Sequence, residues 1–317
     1  MADRQPDPVV LALSHVRSRS LGKLLGDSAR VTLNFHPDRL IGDVPILRAL
    51  ARDGQYRSQF ETRTSNGGLT AHSGGARWVW ESRIFGGAYD AAAPGLRPKY
   101  GALNRFRALF GAAPRFGSAH VRLARHTLAR TTFCYPDSVF EPEHFGVADR
   151  YALSDVADAH PALFPGAEEH DPLDDYVEAH VHGVIDLLAD VEAIVLDPCY
   201  RGGPVEQHAH GLGIAVEWHA GYVLDVDTLR AHPAYRGAEC VELGAQLAED
   251  GHLTPRIIGD ASRSGHYDEQ GLKRVWHYLA RFGYAGSERV ASARNVQRGQ
   301  QVLVQLDPDD VEGGHGR

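Results

Sequence analysis

Residues 176–183, Tyr-Val-Glu-Ala-His-Val-His-Gly, alternate between apolar and ionisable side chains from Val177 to His182. A period of two is the signature of a strand, whose successive side chains point to opposite faces of a sheet. The segment is expected to put Val177, Ala179 and Val181 on one face and Glu178, His180 and His182 on the other. A carboxylate and two imidazoles are costly to bury without partners, so the second face is expected to line a cleft. Three readings of that face stand open. Glu178 can act as a catalytic carboxylate that binds a ribose hydroxyl and stabilises an oxocarbenium-like centre as a glycosidic bond breaks. His180 and His182, two apart on one strand face, can chelate a metal. The third reading is a solvated, hydrogen-bonded face with no chemistry.

The rest of the chain supplies a frame for that strand. Strands are expected at residues 31–36, 116–123, 131–135, 176–188, 193–196 and 214–218. Helices are expected at about 9–25, at 43–54 and at 266–283, the last with a Gly283 stop. In the second helix Asp43 is the expected cap, Pro45 fits the first turn and Gly54 closes the end. Residues 56–101, rich in Gly, Ser, Asn and aromatics, read as functional loop, and 136–175 and 199–213 read as connections. No internal repeat, heptad run or Pro-rich linker divides the sequence. The expectation is one α+β domain over residues 1–290, followed by a polar tail over 291–317.

Composition narrows the class of function. With 317 residues, 43% apolar and 23% charged, the chain has the make-up of a soluble globular protein. No apolar run approaches the roughly 20 residues of a membrane span, and the first residues lack the pattern of a secretory signal. Cys134, Cys199 and Cys240 are few, odd in number and far apart, so free thiols and a cytoplasmic location are expected. A net charge of -8 argues against nucleic-acid binding through a generally basic surface. It leaves room for a local cationic cleft, because nearly every cation is Arg; the only lysines are Lys23, Lys99 and Lys273. Arg grips phosphate and carboxylate bidentately as Lys does not, although a coding bias toward Arg explains the count equally well.

Other segments carry candidate chemistry. Asn34-Phe-His-Pro-Asp-Arg39 sets polar groups at a strand end, where ligands bind in open sheets. There His36 can bond a ribose or ligate a metal, and Arg39 can grip a pyrophosphate. The turn over Glu61–Gly68 offers Thr64, Ser65, Asn66 and Gly67, whose backbone can cradle an anion, though it lacks the Gly-Lys-Ser/Thr of a Walker loop. Ser118, His120 and Arg122 share a strand face that can border the same cleft. His208 and His210 repeat the His-x-His spacing, with Glu217 and His219 nearby. They fall in a Gly-rich stretch where that spacing has no fixed geometry.

Long motifs add a resemblance. Asn-Phe-His-Pro-Asp-Arg, Gln-Phe-Glu-Thr-x-x-Ser-Asn-Gly-Gly, Trp-Glu-x-x-Ile-Phe-Gly-Gly-Ala-Tyr, Arg-Pro-Lys-Tyr-Gly-Ala-Leu-Asn and the Glu178 strand together resemble the bacterial DUF3626 family, over about residues 10–284. A second resemblance bears on activity. Tyr100-Gly, Arg115-Phe-Gly-Ser, Arg130-Thr-Thr-Phe-Cys-Tyr-Pro-Asp-Ser138 and Tyr176-Val-Glu follow in the order seen in the latter half of some ADP-ribosyltransferase domains. That resemblance implies a split mixed or antiparallel sheet with flanking helices around an NAD cleft, and transfer of ADP-ribose with release of nicotinamide.

On that resemblance Glu178 is the catalytic residue and NAD the substrate. His36, Arg39, Thr64, Ser65, Asn66, Gly67, Tyr100, Ser118 and His180 are the NAD-contacting candidates. Arginine-modifying members carry Glu or Gln where this chain has Tyr176, so no arginine specificity is expected. The acceptor is open: protein, nucleic acid, small molecule or water. Two alternatives stand beside this expectation. One is a metal-dependent hydrolase that holds Zn or another divalent metal through His180, His182, His208 and His210, with His36 and His219 in reserve. The other is a domain that binds a nucleotide or protein without chemistry.

Overall fold

Eight segments pair into one sheet: β1 (Arg30–Phe35), β2 (Lys99–Asn104), β3 (Ala119–Leu123), β4 (Thr131–Tyr135), β5 (His144–Val147), β6 (Glu178–Val181), β7 (Val191–Leu196) and β8 (Val216–Trp218). The computed structural model describes residues 7–63, 70–159 and 171–283. The strand order is β8-β7-β3-β1-β2-β6-β4-β5. Every junction is antiparallel except β7–β8, which is parallel. Among the described residues seven helices of seven residues or more surround the sheet: α1 (Pro8–Ser18), α2 (Ile46–Asp53), α3 (Ala76–Ile84), α4 (Pro204–His210), α5 (Ala238–Leu247), α6 (Pro255–Ser264) and α7 (Glu269–Phe282). The class is α+β with a mixed sheet, as expected. Among the described residues no helix is long and apolar enough to cross a membrane.

Local chemistry explains most of these elements. In β1, Val31, Leu33 and Phe35 join the main core. The alternate residues serve the backbone of the 108–116 segment. Thr32 Oγ1 accepts from Ala112 N, and Asn34 Nδ2 donates to the Phe110 carbonyl. α2 ends at Gly54, whose φ of 64° suits a residue without a Cβ. α7 opens on Asp268, which accepts from Gly271 N.

Several expected boundaries move. α1 ends at Ser18 rather than near 25, and Lys23 instead bridges to Tyr151. Pro45, not Asp43, sits at the N-cap of α2, because residues 40–41 and 44–45 pair across Gly42 first. The 56–101 stretch contains α3, and 136–175 contains β5 and a short helix at Leu153–Asp158. The 199–213 stretch contains α4. The strand expected over 176–188 is only four residues long, and Gly183, at φ 74°, turns the chain just beyond it.

Three cores position the site. On one face of the sheet, Val31, Leu33, Val177, Ala179 and Val181 pack with Leu47 and Leu50 of α2 and Ala209 of α4. On the other, Cys134, Phe145 and Val147 pack with Ala12 and Val16 of α1, Trp80 and Ile84 of α3, and Phe85 and Tyr89. The C-terminal helices gather a third core around Val275, Trp276 and Leu279. Trp276 Nε1 ties that core to the segment before β3 by donating to the carbonyls of Pro114 and Arg115, at 3.1 and 3.0 Å.

Candidate active site

β6 lies between β2 and β4, so its side chains stand in cross-strand rows. Tyr100, His180 and Thr132 form one row, and Ala102, Glu178 and Cys134 form the next. The ionisable face of β6 does not open wholly to a cleft, as the sequence suggested. α3 and the turn after it cover most of it, and His180 and His182 are fully buried among Trp80, Phe85, Tyr89 and Tyr100. Burial is affordable because every ring nitrogen finds a partner. His180 Nε2 lies 3.1 Å from Glu178 Oε1, and His180 Nδ1 lies 3.0 Å from Thr132 Oγ1. Thr132 Oγ1 lies 2.9 Å from His182 Nε2, and His182 Nδ1 lies 2.7 Å from Tyr89 OH.

Burial drives His180 down to about 3, helped by the Arg77 charge, and holds His182 well below its ordinary range. With both rings neutral and a carboxylate at the end, one pattern of donors satisfies all four bonds. Tyr89 donates to His182 Nδ1, His182 Nε2–H to Thr132, Thr132 to His180 Nδ1, and His180 Nε2–H to Glu178. Ser138 N donates to the other carboxylate oxygen, Oε2, at 3.0 Å. Trp80 Nε1 in turn holds the Ser138 carbonyl at 3.1 Å. The Glu178 carboxylate is thus fixed from two sides.

It opens into a cavity of about 330 Å³. Arg39, Arg57, Arg77, Lys99, Arg115 and Lys273 line it, with Asn34, Tyr100, Phe116, Asp137, Tyr176 and Glu178. Arg77 is the most telling of the cations. It is 5% exposed, and its Nε and Nη1 have no hydrogen-bond partner among the described residues. Burial alone would weaken its hold on its proton, but Tyr100, Glu178 and Glu81 outweigh that and keep it charged. Its guanidinium stacks 4.1 Å from the centre of the Tyr100 ring. The Tyr100 hydroxyl donates to Glu81 Oε1 at 2.6 Å, and Arg97 pairs with Glu81 Oε2 at 2.5 Å. Lys99, driven down to about 8 mainly by burial, donates to the carbonyls of Gly95 and Gly183. A buried cationic group with unused N–H donors is a ready seat for a phosphate or carboxylate.

Of the residues singled out in the sequence, the cavity brings together Arg39, Tyr100 and Glu178. His36 lies outside it, in an adjoining cavity of about 340 Å³ that shares Arg39, Leu40 and Lys273 with the first. There His36 packs edge-on against Trp276 at 4.9 Å, and burial lowers it to about 3. Ser118 is fully buried, its carbonyl accepting from His219 Nε2, and His180 lies behind Glu178 rather than on the cavity wall. Thr64, Ser65, Asn66 and Gly67 lie outside the described residues.

The proposed metal ligands are not gathered. His182 spends both nitrogens on Thr132 and Tyr89. His208 and His210 stand on α4, where two residues are about 200° apart around the axis and do not share a face. Among the described residues, the one cluster of metal-type donors is Cys134, Glu178 and His180, within 4.8 Å of one another. In it, His180 Nε2 is committed to Glu178 and burial pushes the Cys134 thiol up, away from the thiolate a metal prefers.

Sequence pattern alone does not mark Arg77, Arg115, Lys99, Lys273 or Asp137 as lining this cavity. Asp137 belongs to the Tyr-Pro-Asp-Ser138 motif. Arg77 had a signal too: 77, 80, 81 and 84 are the buried face of α3, at helical spacing.

A family model described as "Protein of unknown function (DUF3626)" matches residues 30–159 and 164–282. No curated protein matches the chain. Among solved structures, Thermus sp. 2.9 DarT in complex with NAD+ matches at 12% identity and a TM-score of 0.35, over 62% of this chain and 97% of that one. Thermus sp. 2.9 DarT in complex with ADP-ribosylated ssDNA matches at 11% identity and a TM-score of 0.35, over 62% and 98%. A TM-score that low fixes no residue correspondence.

Proposed function

The chain belongs to the DUF3626 family, and we propose that it is an enzyme that cleaves the nicotinamide–ribose bond of NAD and passes ADP-ribose to an acceptor or to water. The observation that carries the reading is the pairing of opposite demands in one cavity. Glu178, oriented by Ser138 N and His180, offers acceptor oxygens for ribose hydroxyls and negative charge for a developing oxocarbenium centre. Arg77, with Arg39, Arg115 and Lys273 around the same cavity, offers donors and positive charge for a pyrophosphate. A ligand that is both a sugar and an anion answers both.

The strand arrangement supports the same reading. The segments on which the ADP-ribosyltransferase resemblance rests, around Tyr100, Thr131–Tyr135 and Glu178, fold as three neighbouring strands with Glu178 in the middle one. Tyr100 would wall the nicotinamide side, and Arg39 would reach toward the adjoining cavity and His36. Incubation of the full-length protein with NAD, followed by chromatography for free nicotinamide, tests the proposal. Release above the uncatalysed rate, lost in Glu178→Gln, is the expected result. Binding of NAD with no release from the wild type under any acceptor condition would reduce the protein to a nucleotide-binding domain.

A further inference from the structure

Besides Glu178 the cavity is lined by Asp53 and Asp174, which pair with Arg57 and Arg115, and by Asp137, which the reading above leaves without a task. Asp137 follows β4, lines the same cavity and is hydrogen-bonded to Glu178. The Tyr176 hydroxyl donates to its Oδ2. Val139 N and Ser138 Oγ donate to its Oδ1, at 2.9 and 3.1 Å. The Glu178 charge opposes a second negative charge beside it, which favours the protonated form of Asp137. The other groups within reach of the Asp137 charge are Arg115, which lines the same cavity, and the buried His180 and Cys134.

Resting on the reading of the cleft as an NAD site, we infer that Asp137 is the base that takes the proton of the attacking acceptor, and that the acceptor is a neutral group with a labile hydrogen, water or an alcohol hydroxyl. In the step, the bond from ribose C1′ to the pyridinium nitrogen breaks and its electron pair leaves with neutral nicotinamide. A lone pair of the acceptor oxygen forms the new bond to C1′, and the acceptor's proton passes to the Asp137 carboxylate and then to solvent. Burial above all, and then Glu178, raise the Asp137 carboxyl to about 7, so it exchanges a proton near neutrality. The pyridinium cation of arriving NAD favours the carboxylate form and empties the base before the acceptor attacks.

The test uses the full-length protein with NAD as the probe. Calorimetric titration at pH 7 in two buffers of different ionisation heat counts protons. The wild type is expected to release up to about half a proton on binding NAD, and Asp137→Asn none at similar affinity. In nicotinamide release, wild-type kcat/KM is expected to rise about tenfold per pH unit below 7 and to level above it. Asp137→Asn, which keeps a side chain able to cap the Ser138–Phe140 turn, is expected to lose roughly 10²-fold and the rising limb together, with Asp137→Glu recovering part of both. If NAD is cleaved and Asp137→Asn keeps the wild-type rate and pH limb, this inference falls and the NAD reading stands. If NAD does not bind, both fall.

Discussion

Thr132→Val removes one hydroxyl and keeps the side chain's shape. That hydroxyl donates to His180 Nδ1 and accepts from His182 Nε2, and all three residues are fully buried. Its loss breaks two hydrogen bonds and strands two imidazole nitrogens that no water reaches. Each stranded nitrogen costs about 1–3 kcal/mol, so roughly 2–6 kcal/mol of stability should go. Against a typical total of about 5–15 kcal/mol that is a large fraction. Thr132→Ser keeps the hydroxyl and loses one methyl, for about 1 kcal/mol. Urea unfolding at pH 7.5, followed by Trp fluorescence, should show the Val variant's midpoint well below the Ser variant's, with equal m-values. Nicotinamide release should follow the same order, because an unheld His180 no longer fixes Glu178. A Val variant within 1 kcal/mol of wild type, or a Ser variant as damaged as Val, would refute the relay.

Two further outcomes follow from other parts of the molecule. His277 is buried, has no partner for either ring nitrogen among the described residues, and is lowered to about 3 by burial and then by Arg115 and Arg236. Its folded-state value lies below the unfolded 6.5, so its contribution is present above pH 6.5 and lost as pH falls toward 3. Urea unfolding of His277→Leu against wild type should therefore show the variant's relative stability growing by about 1.4 kcal/mol from pH 7.5 to 5.5; an unchanged gap contradicts a neutral buried ring. A Cβ at Gly117 would stand 2.0 Å from the Phe35 carbonyl carbon, whereas one at Gly54, φ 64°, meets open space. Thermal melts should show Gly117→Ala losing more than about 3 kcal/mol and Gly54→Ala only about 1 kcal/mol.

What the sequence made legible was whatever its apolar period could carry. β1, β4 and β7 fall within a residue or two of where pattern put them, and α7 within three, because each has an apolar face. α3 was missed because two of its four inward positions, Arg77 and Glu81, are charged, and a charged inward face cancels the signal. On β6 the alternation gave the faces and the wrong surroundings. The partners that let His180 and His182 be buried are Thr132 and Tyr89, 48 and 93 residues from them. Nothing local announces a contact at that separation. The same holds for Asp137 and Glu178, which meet only because β4 and β6 pair.

The most direct test of the account compares Glu178→Gln with wild type at saturating NAD, measuring both nicotinamide release and the dissociation constant for NAD. The account predicts release at least about 10²-fold slower with binding changed less than about tenfold, since the carboxylate acts on the charge that develops as the bond breaks. Release at the wild-type rate from Glu178→Gln would contradict it.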